Sequence, residues 1–183
     1  MFDYIYDCVI CPAHDTAGAS LGSHMSNIRI GLGYDLHRTI AGRPLVLANI
    51  TIPHSHGLDG HSDADVVLHA LIDAITGAAG LPDVGQMFPN TDPKYKGIDS
   101  AELLKGTMQE FAKTGYRIVN ADIIVLAQKP KLSPYKPAML KRLAELLGVE
   151  ESRLNIKGKT GESVDAIGEE RAIGCHCVVL IEK

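Results

Sequence analysis

The absences in this sequence narrow its function first. No window approaches ~18 uninterrupted apolar residues, so nothing is built to span a bilayer as a helix. Positive charge is not in excess: 18 Lys and Arg stand against 22 Asp and Glu, a net charge of −4. The basic residues are scattered and form no stripe that would follow a phosphodiester backbone. No membrane and no nucleic acid is therefore expected as a partner. Residues 1–24 contain no Lys or Arg, so they lack the basic n-region of a secretory signal and the arginines of an organelle transit peptide. A cytoplasmic location is expected. Cysteine is also sparse. Cys8 and Cys11 lie in this leader, and Cys175 and Cys177 lie two apart near the C-terminus, a spacing explained by strand alternation better than by a zinc knuckle. All four are read as reduced thiols. No internal repeat or low-complexity tract occurs.

The 183 residues are 45% hydrophobic and 22% charged, enough for one sizeable core. Gly22-Ser23-His24-Met25 resembles a vector junction with Met25 as the natural start. Residues 1–24 are accordingly set aside as a non-native leader, and 25–183 are taken as a single domain.

The run Asp59-Gly60-His61-Ser62-Asp63-Ala64-Asp65-Val66-Val67-Leu68-His69 opens a helix, with Ser62 or Asp63 expected as N-cap. Val67, Ala70, Leu71, Ala74, Ile75 and Ala78 form its apolar stripe, and Gly80-Leu81-Pro82 ends it. His69 falls opposite the stripe, on a face shared with Ser62, Asp65 and Asp73. The two aspartates read as solvated helix acids, with orientation of His69 as the alternative. A phosphate near His61 and Ser62 would meet the helix N-terminus.

Upstream, residues 28–37 alternate as a half-buried strand. Ile28, Ile30, Leu32, Tyr34 and Leu36 share one face; Arg29, Gly31, Gly33, Asp35 and His37 share the other, where the glycines leave room for a ligand. Residues 44–53 read as a hairpin around Asn49. His54 and His56 read as surface residues. Residues 82–97 form a long polar loop with three prolines, a length usual for functional loops. A helix is expected from Ser100 to Lys113, a strand over 117–126 with a doubly buried second half, a helix over 136–147, a strand over 154–160, a weak helical turn within 161–171, and a final strand over 173–181. The expected fold class is α+β, a single mixed β-sheet with helices packed on one face.

One carboxylate and two imidazoles, Asp35, His37 and His69, make a three-ligand set for a borderline metal with a fourth position open. With Gly33-Tyr34-Asp35-Leu36-His37, Gly60-His61-Ser62-Asp63-Ala64-Asp65, Asp83-Val84-Gly85, Phe88-Pro89-Asn90-Thr91-Asp92-Pro93 and Ala127-Gln128-Lys129-Pro130-Lys131 in order, the chain resembles the 2-C-methyl-D-erythritol 2,4-cyclodiphosphate synthases of the non-mevalonate isoprenoid pathway. The resemblance covers residues 27–183.

The resemblance implies a homotrimer with sheets around a central channel and active sites at subunit interfaces. The implied reaction is a lyase-type cyclisation of 4-diphosphocytidyl-2-C-methyl-D-erythritol 2-phosphate with release of CMP. Asp35, His37 and His69 match the family's Zn2+ ligands, and Glu162 matches the carboxylate that holds Mg2+ or Mn2+ with the substrate phosphates. His61 and Thr160 match groups that steady the transition state. Ser62 would bind the 2-phosphate, Asp83, Val84 and Gly85 the methylerythritol hydroxyls, and Phe88, Pro89, Asn90, Thr91 and Asp92 the flap above them. Ala127, Gln128, Lys129, Pro130, Lys131, Leu132 and Ser133 would wrap the cytosine. Lys131 and Lys159 would face phosphates, and Gly161 lies between the two site residues Thr160 and Glu162. Asn90 stands where many relatives have aspartate, and Ala166 and Glu169 stand where many have the phenylalanine and arginine linked to an isoprenoid diphosphate in the channel. Two other readings of the residues stay open: a zinc-dependent phosphohydrolase, and a non-catalytic trimeric nucleotide-binding protein.

Overall fold

The structure is a computed structural model that describes residues 27–183. The expected leader, with Cys8 and Cys11, lies outside the described residues. Strands β1 (Arg29–Ala41), β4 (His56–Leu58), β5 (Arg117–Leu126), β6 (Leu154–Lys159) and β7 (Ala172–Glu182) form one sheet in the order β4-β1-β7-β5-β6. The sheet is mixed: β1 runs antiparallel to β4 and β7, β5 runs antiparallel to β7, and β5 pairs in parallel with β6. The parallel pair is joined through helix α4 (Lys136–Leu147), the crossover that parallel strands require. The expected hairpin is present as β2 (Leu45–Leu47) and β3 (Ile50–Ile52), but it forms a separate two-stranded sheet. The single-sheet expectation is corrected to that extent. Its two turn residues, Ala48 and Asn49, both have positive φ, as a tight primed turn demands.

Helix α1 (Val66–Ala79) is the core of the molecule. Its stripe is buried as expected, and so are Val66, Leu68 and Ile72, because α1 is covered by the sheet on one side and by helix α3 (Ser100–Lys113) on another. Its N-cap is Asp65, not Ser62 or Asp63. The Asp65 side chain is fully buried and accepts from the N–H groups of Val67 and Leu68, at 3.0 and 3.2 Å. It also accepts from Ala48 and Asn49 in the hairpin turn, at 3.0 and 2.6 Å. A solvated reading of Asp65 is therefore wrong; the carboxylate ties the hairpin to the helix. Its occupancy of the first-turn N–H groups also removes the helix end as a free anion site.

The largest correction concerns β1. Its glycine face points inward, and Ile28, Ile30, Leu32, Tyr34 and Leu36 lie on the exposed face, with Ile30 and Leu32 at 69% and 67% exposure. The glycines leave room not for a ligand but for α1. A Cβ on Gly31 would stand 1.9 Å from the carbonyl oxygen of Ala74, and one on Gly33 would stand 1.9 Å from that of Ala70. The same inward face carries buried Ile123 and Val125 of β5 and Cys175, Cys177, Val179 and Ile181 of β7. Ile124 and Leu126 are half-buried on the outer face, so the expected double burial of that strand is also corrected. Cys175 and Cys177 are free thiols on one strand face, as alternation suggested.

The 82–97 loop contains helix α2 (Val84–Met87) and a 3-10 turn at Pro93–Tyr95, capped by Asp83 and Asp92. Short helix α5 (Asp165–Gly168) fills the polar stretch before β7. Among the described residues, no helix is long and apolar enough to cross a membrane.

Candidate active site

Close packing of β1 on α1 brings three polar side chains together. Asp35 and His37 project from the inward face of β1 past the two glycines, and His69 reaches them from the first turn of α1. Asp35 Oδ2 lies 2.9 Å from His37 Nε2 and 2.9 Å from His69 Nδ1, and the two nitrogens are 3.3 Å apart. Among the described residues this is the group of His, Cys, Asp and Glu side chains whose donor atoms converge closely enough to hold one metal ion. Burial alone would raise the Asp35 carboxyl, but hydrogen bonds and charge from His37 and His69 outweigh it and hold the group well below the usual carboxylate range. Burial likewise works to lower the His37 imidazole, and Asp35 together with the Asp59 carbonyl raises it above its ordinary value.

The donor set fits a divalent ion, because each imidazole has its other nitrogen engaged elsewhere. His37 Nδ1 is 2.6 Å from the carbonyl oxygen of Asp59, which can accept only a proton. His69 Nε2 is 3.0 Å from Ser100 Oγ and 3.2 Å from Ser62 Oγ. With a metal ion beside Asp35, these far-side partners would let each imidazole carry its proton on the outer nitrogen and offer the inner one as a lone pair, the arrangement that histidine ligands require.

This cluster forms one wall of a cleft of about 430 Å3 lined also by His61, Ser62, Val84, Gly85, Phe88, Asn90 and Tyr95. His61 is exposed at its edge. Ser62 is buried, and its hydroxyl is turned toward His69 and Ser100. Of the expected flap residues, Pro89, Thr91 and Asp92 do not line the cleft. Nor does Asp83, whose carboxylate caps α2 and accepts from the backbone and side-chain N–H groups of Gln86, at 2.8 and 2.9 Å. Phe88 packs edge-on to Tyr95, with ring centroids 5.5 Å apart. Asp73 is not a solvated acid: its Oδ1 accepts from the N–H of Val84 at 2.9 Å and anchors the flap to α1. Burial raises its carboxyl above the ordinary value.

A second cleft, of about 460 Å3, lies at the ends of β5 and β6 and is lined by Ala127, Gln128, Pro130, Lys131, Leu132, Ser133, Lys159 and Thr160. Lys129 turns away to pair with Glu170 at 2.8 Å. Thr160 donates to Glu162 at 2.6 Å, and Glu162 is exposed in a left-handed backbone conformation. Gly161 is packed so tightly that a Cβ would stand 2.4 Å from the backbone nitrogen of Gly168. The two clefts share no lining residue.

Sequence reasoning missed three contributors. Arg43 donates to the carbonyls of Gly60 and Ser62, at 2.9 and 2.7 Å, and braces the His61 loop. Ser100 lies behind His69, and Tyr95 lines the cleft. Ser100 carried the one available signal, a hydroxyl at a helix start directly after the flap.

A mixed α+β chain that presents a carboxylate and two imidazoles to an open cleft has the donor set of an open metal site. More specifically, the chain belongs to the YgbB family, whose model matches residues 28–182. It is similar to the 2-C-methyl-D-erythritol 2,4-cyclodiphosphate synthase of Symbiobacterium thermophilum, 52% identical over 152 residues, covering 83% of this chain and 97% of the relative. The chloroplastic synthase of Oryza sativa subsp. japonica is 48% identical over 153 residues, covering 84% of this chain and 69% of the relative. Among solved structures, IspF of Plasmodium falciparum in complex with CDP matches with a TM-score of 0.75 and 35% identity, over 85% of this chain and 96% of that one. The bifunctional IspDF of Campylobacter jejuni matches with a TM-score of 0.83 and 41% identity, over 86% of this chain and 42% of that one.

Proposed function

We propose that this chain is a metal-dependent cyclase of isoprenoid precursor biosynthesis. It converts 4-diphosphocytidyl-2-C-methyl-D-erythritol 2-phosphate to 2-C-methyl-D-erythritol 2,4-cyclodiphosphate and releases CMP. The observation that carries the proposal is the convergence of Asp35, His37 and His69 on one wall of a cleft in a chain of this family. In the reaction an oxygen of the 2-phosphate bonds to the β-phosphorus, the bond from that phosphorus to the bridging oxygen breaks, and CMP departs with the bridging oxygen. The step needs alignment and charge neutralisation more than a strong base. Ions bound at the two sites, Zn2+ at Asp35, His37 and His69 and Mg2+ or Mn2+ at Glu162 with the phosphates, supply Lewis acidity toward the phosphate oxygens.

The remaining work belongs to the chain. His61, at the cleft edge, and Thr160 steady the charge at the reacting phosphorus. Ser62 and its loop, braced by Arg43, receive the 2-phosphate. Val84 and Gly85, which line the cleft, and Asp83 beside them, on release of its contacts with Gln86, hold the hydroxyls, and the flap from Phe88 to Asp92 shuts out water. Residues 127–133 enclose the cytosine, with Lys131 and Lys159 facing phosphate. That IspF of Plasmodium falciparum is described in complex with CDP supports a cytidine diphosphate ligand here.

Because the two clefts share no residue, the proposal includes a homotrimer in which the first cleft of one subunit meets the second cleft of its neighbour. The exposed apolar face of β1 supports it, since a contiguous patch of this kind marks an interface. Residues 25–183 are read as one catalytic domain, which the family match over 28–182 supports, with 1–24 outside it. A cytoplasmic location completes the reading.

Phosphorus NMR of the protein supplied with zinc and magnesium and given the cytidine substrate tests the proposal. A cyclic diphosphate growing in step with CMP is expected. A linear phosphate product would instead identify a hydrolase, and unchanged substrate in a metal-loaded trimer would identify a binding protein.

A further inference from the structure

The Asp35, His37 and His69 cluster is backed by a buried chain of hydroxyls to which the proposed reaction assigns no task. His69 Nε2, the nitrogen pointing away from Asp35, lies 3.0 Å from Ser100 Oγ. Ser100 is fully buried, and its hydroxyl lies 2.5 Å from Asp63 Oδ1. An ionised carboxylate only accepts, so the Ser100 proton is committed to Asp63 and the Ser100 oxygen offers His69 a lone pair. Ser100 thereby draws the His69 proton toward Nε2, against Asp35, whose carboxylate faces Nδ1 at 2.9 Å and draws it the other way. Ser62 Oγ, at 3.2 Å from the same nitrogen, already accepts the N–H of Ala64 at 3.1 Å and sits 3.3 Å from Ser100. It supports the arrangement without the fixed proton direction that Asp63 gives Ser100.

We infer that Ser100, held by Asp63, is a positioning residue that anchors the ring of His69 and favours the tautomer with its proton on Nε2. The backbone makes the hold stiff. Asp63 Oδ2 also accepts the N–H of Ser100 at 3.2 Å, and Asp63 donates its own N–H to the carbonyl of Ile98 at 3.0 Å. Gly97 donates to the carbonyl of His61 at 2.7 Å, so the chain leaving the flap is laced to the loop that carries His61 and Ser62. Ser100 is the first residue of α3 after that flap. One hydroxyl therefore joins three separate parts of the cleft: the flap exit, the His61 loop and the imidazole on α1.

The inference rests on the reading of Asp35, His37 and His69 as a ligand set, and its test separates the two. The tautomer of His69 is read by 15N NMR of histidine-labelled, metal-free protein in mildly alkaline buffer. Zinc affinity is read by competition with a chromophoric chelator. Wild type should show a larger Nε2–H fraction than the variant lacking the hydroxyl. Ser100→Ala keeps the backbone N–H to Asp63 and should shift the proton toward Nδ1, where Asp35 accepts it, with zinc bound ~10- to 100-fold more weakly, the usual cost of losing a partner behind a histidine ligand. Ser100→Thr retains the hydroxyl and should restore both readings. Asp63→Asn probes the same link from its other end and should repeat the Ser100→Ala result, which covers the case in which that variant does not fold. A purely structural serine would move the unfolding midpoint and leave the tautomer alone. An unchanged tautomer, or an unchanged zinc affinity beside a changed tautomer, in the folded variants overturns the inference. Failure of wild type to bind zinc would overturn the metal site instead, while the tautomer in metal-free protein still decides the role of Ser100.

Discussion

At the scale of single residues, two carboxylates divide the labour. Asp35 is drawn into the cluster by two imidazoles, whereas Glu162 stands exposed beside Thr160 in the other half of the proposed site. The two proposed metal sites should therefore fail separately. His69→Ala should lose stoichiometric zinc, measured by elemental analysis after gel filtration, and retained zinc would remove His69 from the ligand set. Glu162→Ala should keep its zinc and lose turnover by ~100-fold or more, the size of removing one stabiliser of transition-state charge. Zinc loss in that variant would show that the sites are not independent. Asp65 is the contrasting case, a carboxylate with a purely architectural task. Burial drives its carboxyl up to about 6 against the pull of the backbone N–H groups that bond it. A carboxyl raised above its unfolded value adds stability that is fully present below about 4 and is lost as pH rises through about 6. Asp65→Asn would turn an amide donor toward the N–H of Asn49 and should cost about 1–3 kcal/mol. Because the asparagine does not titrate, the stability gap between wild type and variant should shrink as pH is raised from 4 to 7 in urea titrations. A gap that widens over that range would reverse the sign assigned here.

At the scale of elements, the contact of β1 with α1 positions the cluster, and it depends on having no side chain at two places. Gly33→Ala would set a methyl 1.9 Å from the carbonyl oxygen of Ala70, in the helix turn that begins at His69. Neither backbone can yield without moving the whole helix. A loss of about 3 kcal/mol or more is expected from such overpacking, with a matching loss of zinc affinity because Asp35 and His69 ride on the two displaced elements. Full stability in a thermal melt would contradict the packing described. This contact also shows where the sequence was legible. Alternation in 28–37 revealed the strand and the shared face of Asp35 and His37, and helical period put His69 on the polar side of its helix, so all three members of the cluster could be picked out. The direction of the strand was not legible, because pattern gives two faces without saying which meets the core, and the apolar one was assumed to be inside. Nor was the task of Asp65. The donors from the hairpin lie 16 and 17 positions away in the chain, a separation that local capping rules do not see. Ser100 was hidden for the same reason, 31 positions from His69.

At the scale of the whole molecule, the sheet is finished on one face only. Inside it are the glycines, thiols and branched residues that pack on α1; outside are Ile30, Leu32, Tyr34 and Leu36 on β1 and Val178 beside them on β7. Further across the sheet the outer face turns polar, with Lys157 of β6 paired to Asp122 of β5 and Asn155 donating to the same carboxylate. Apolar residues left in water on two adjacent strands give nothing to an isolated subunit, yet each would gain on burial against a second copy. The proposed trimer makes a use for that face and for the separation of the two clefts at once. Leu32→Lys tests both. Residue 32 is 67% exposed and makes no demand on the core, so the variant should keep its circular dichroism spectrum and its zinc, which the proposed ligands Asp35, His37 and His69 would hold within one subunit. Three buried ammonium groups would nevertheless oppose association, since a charge taken from water without a partner is costly. Light scattering after gel filtration should find monomers where wild type gives trimers, and cyclase activity should fall with the trimer fraction. A fully active monomer would mean that one subunit holds a complete site and that the two clefts need no neighbour.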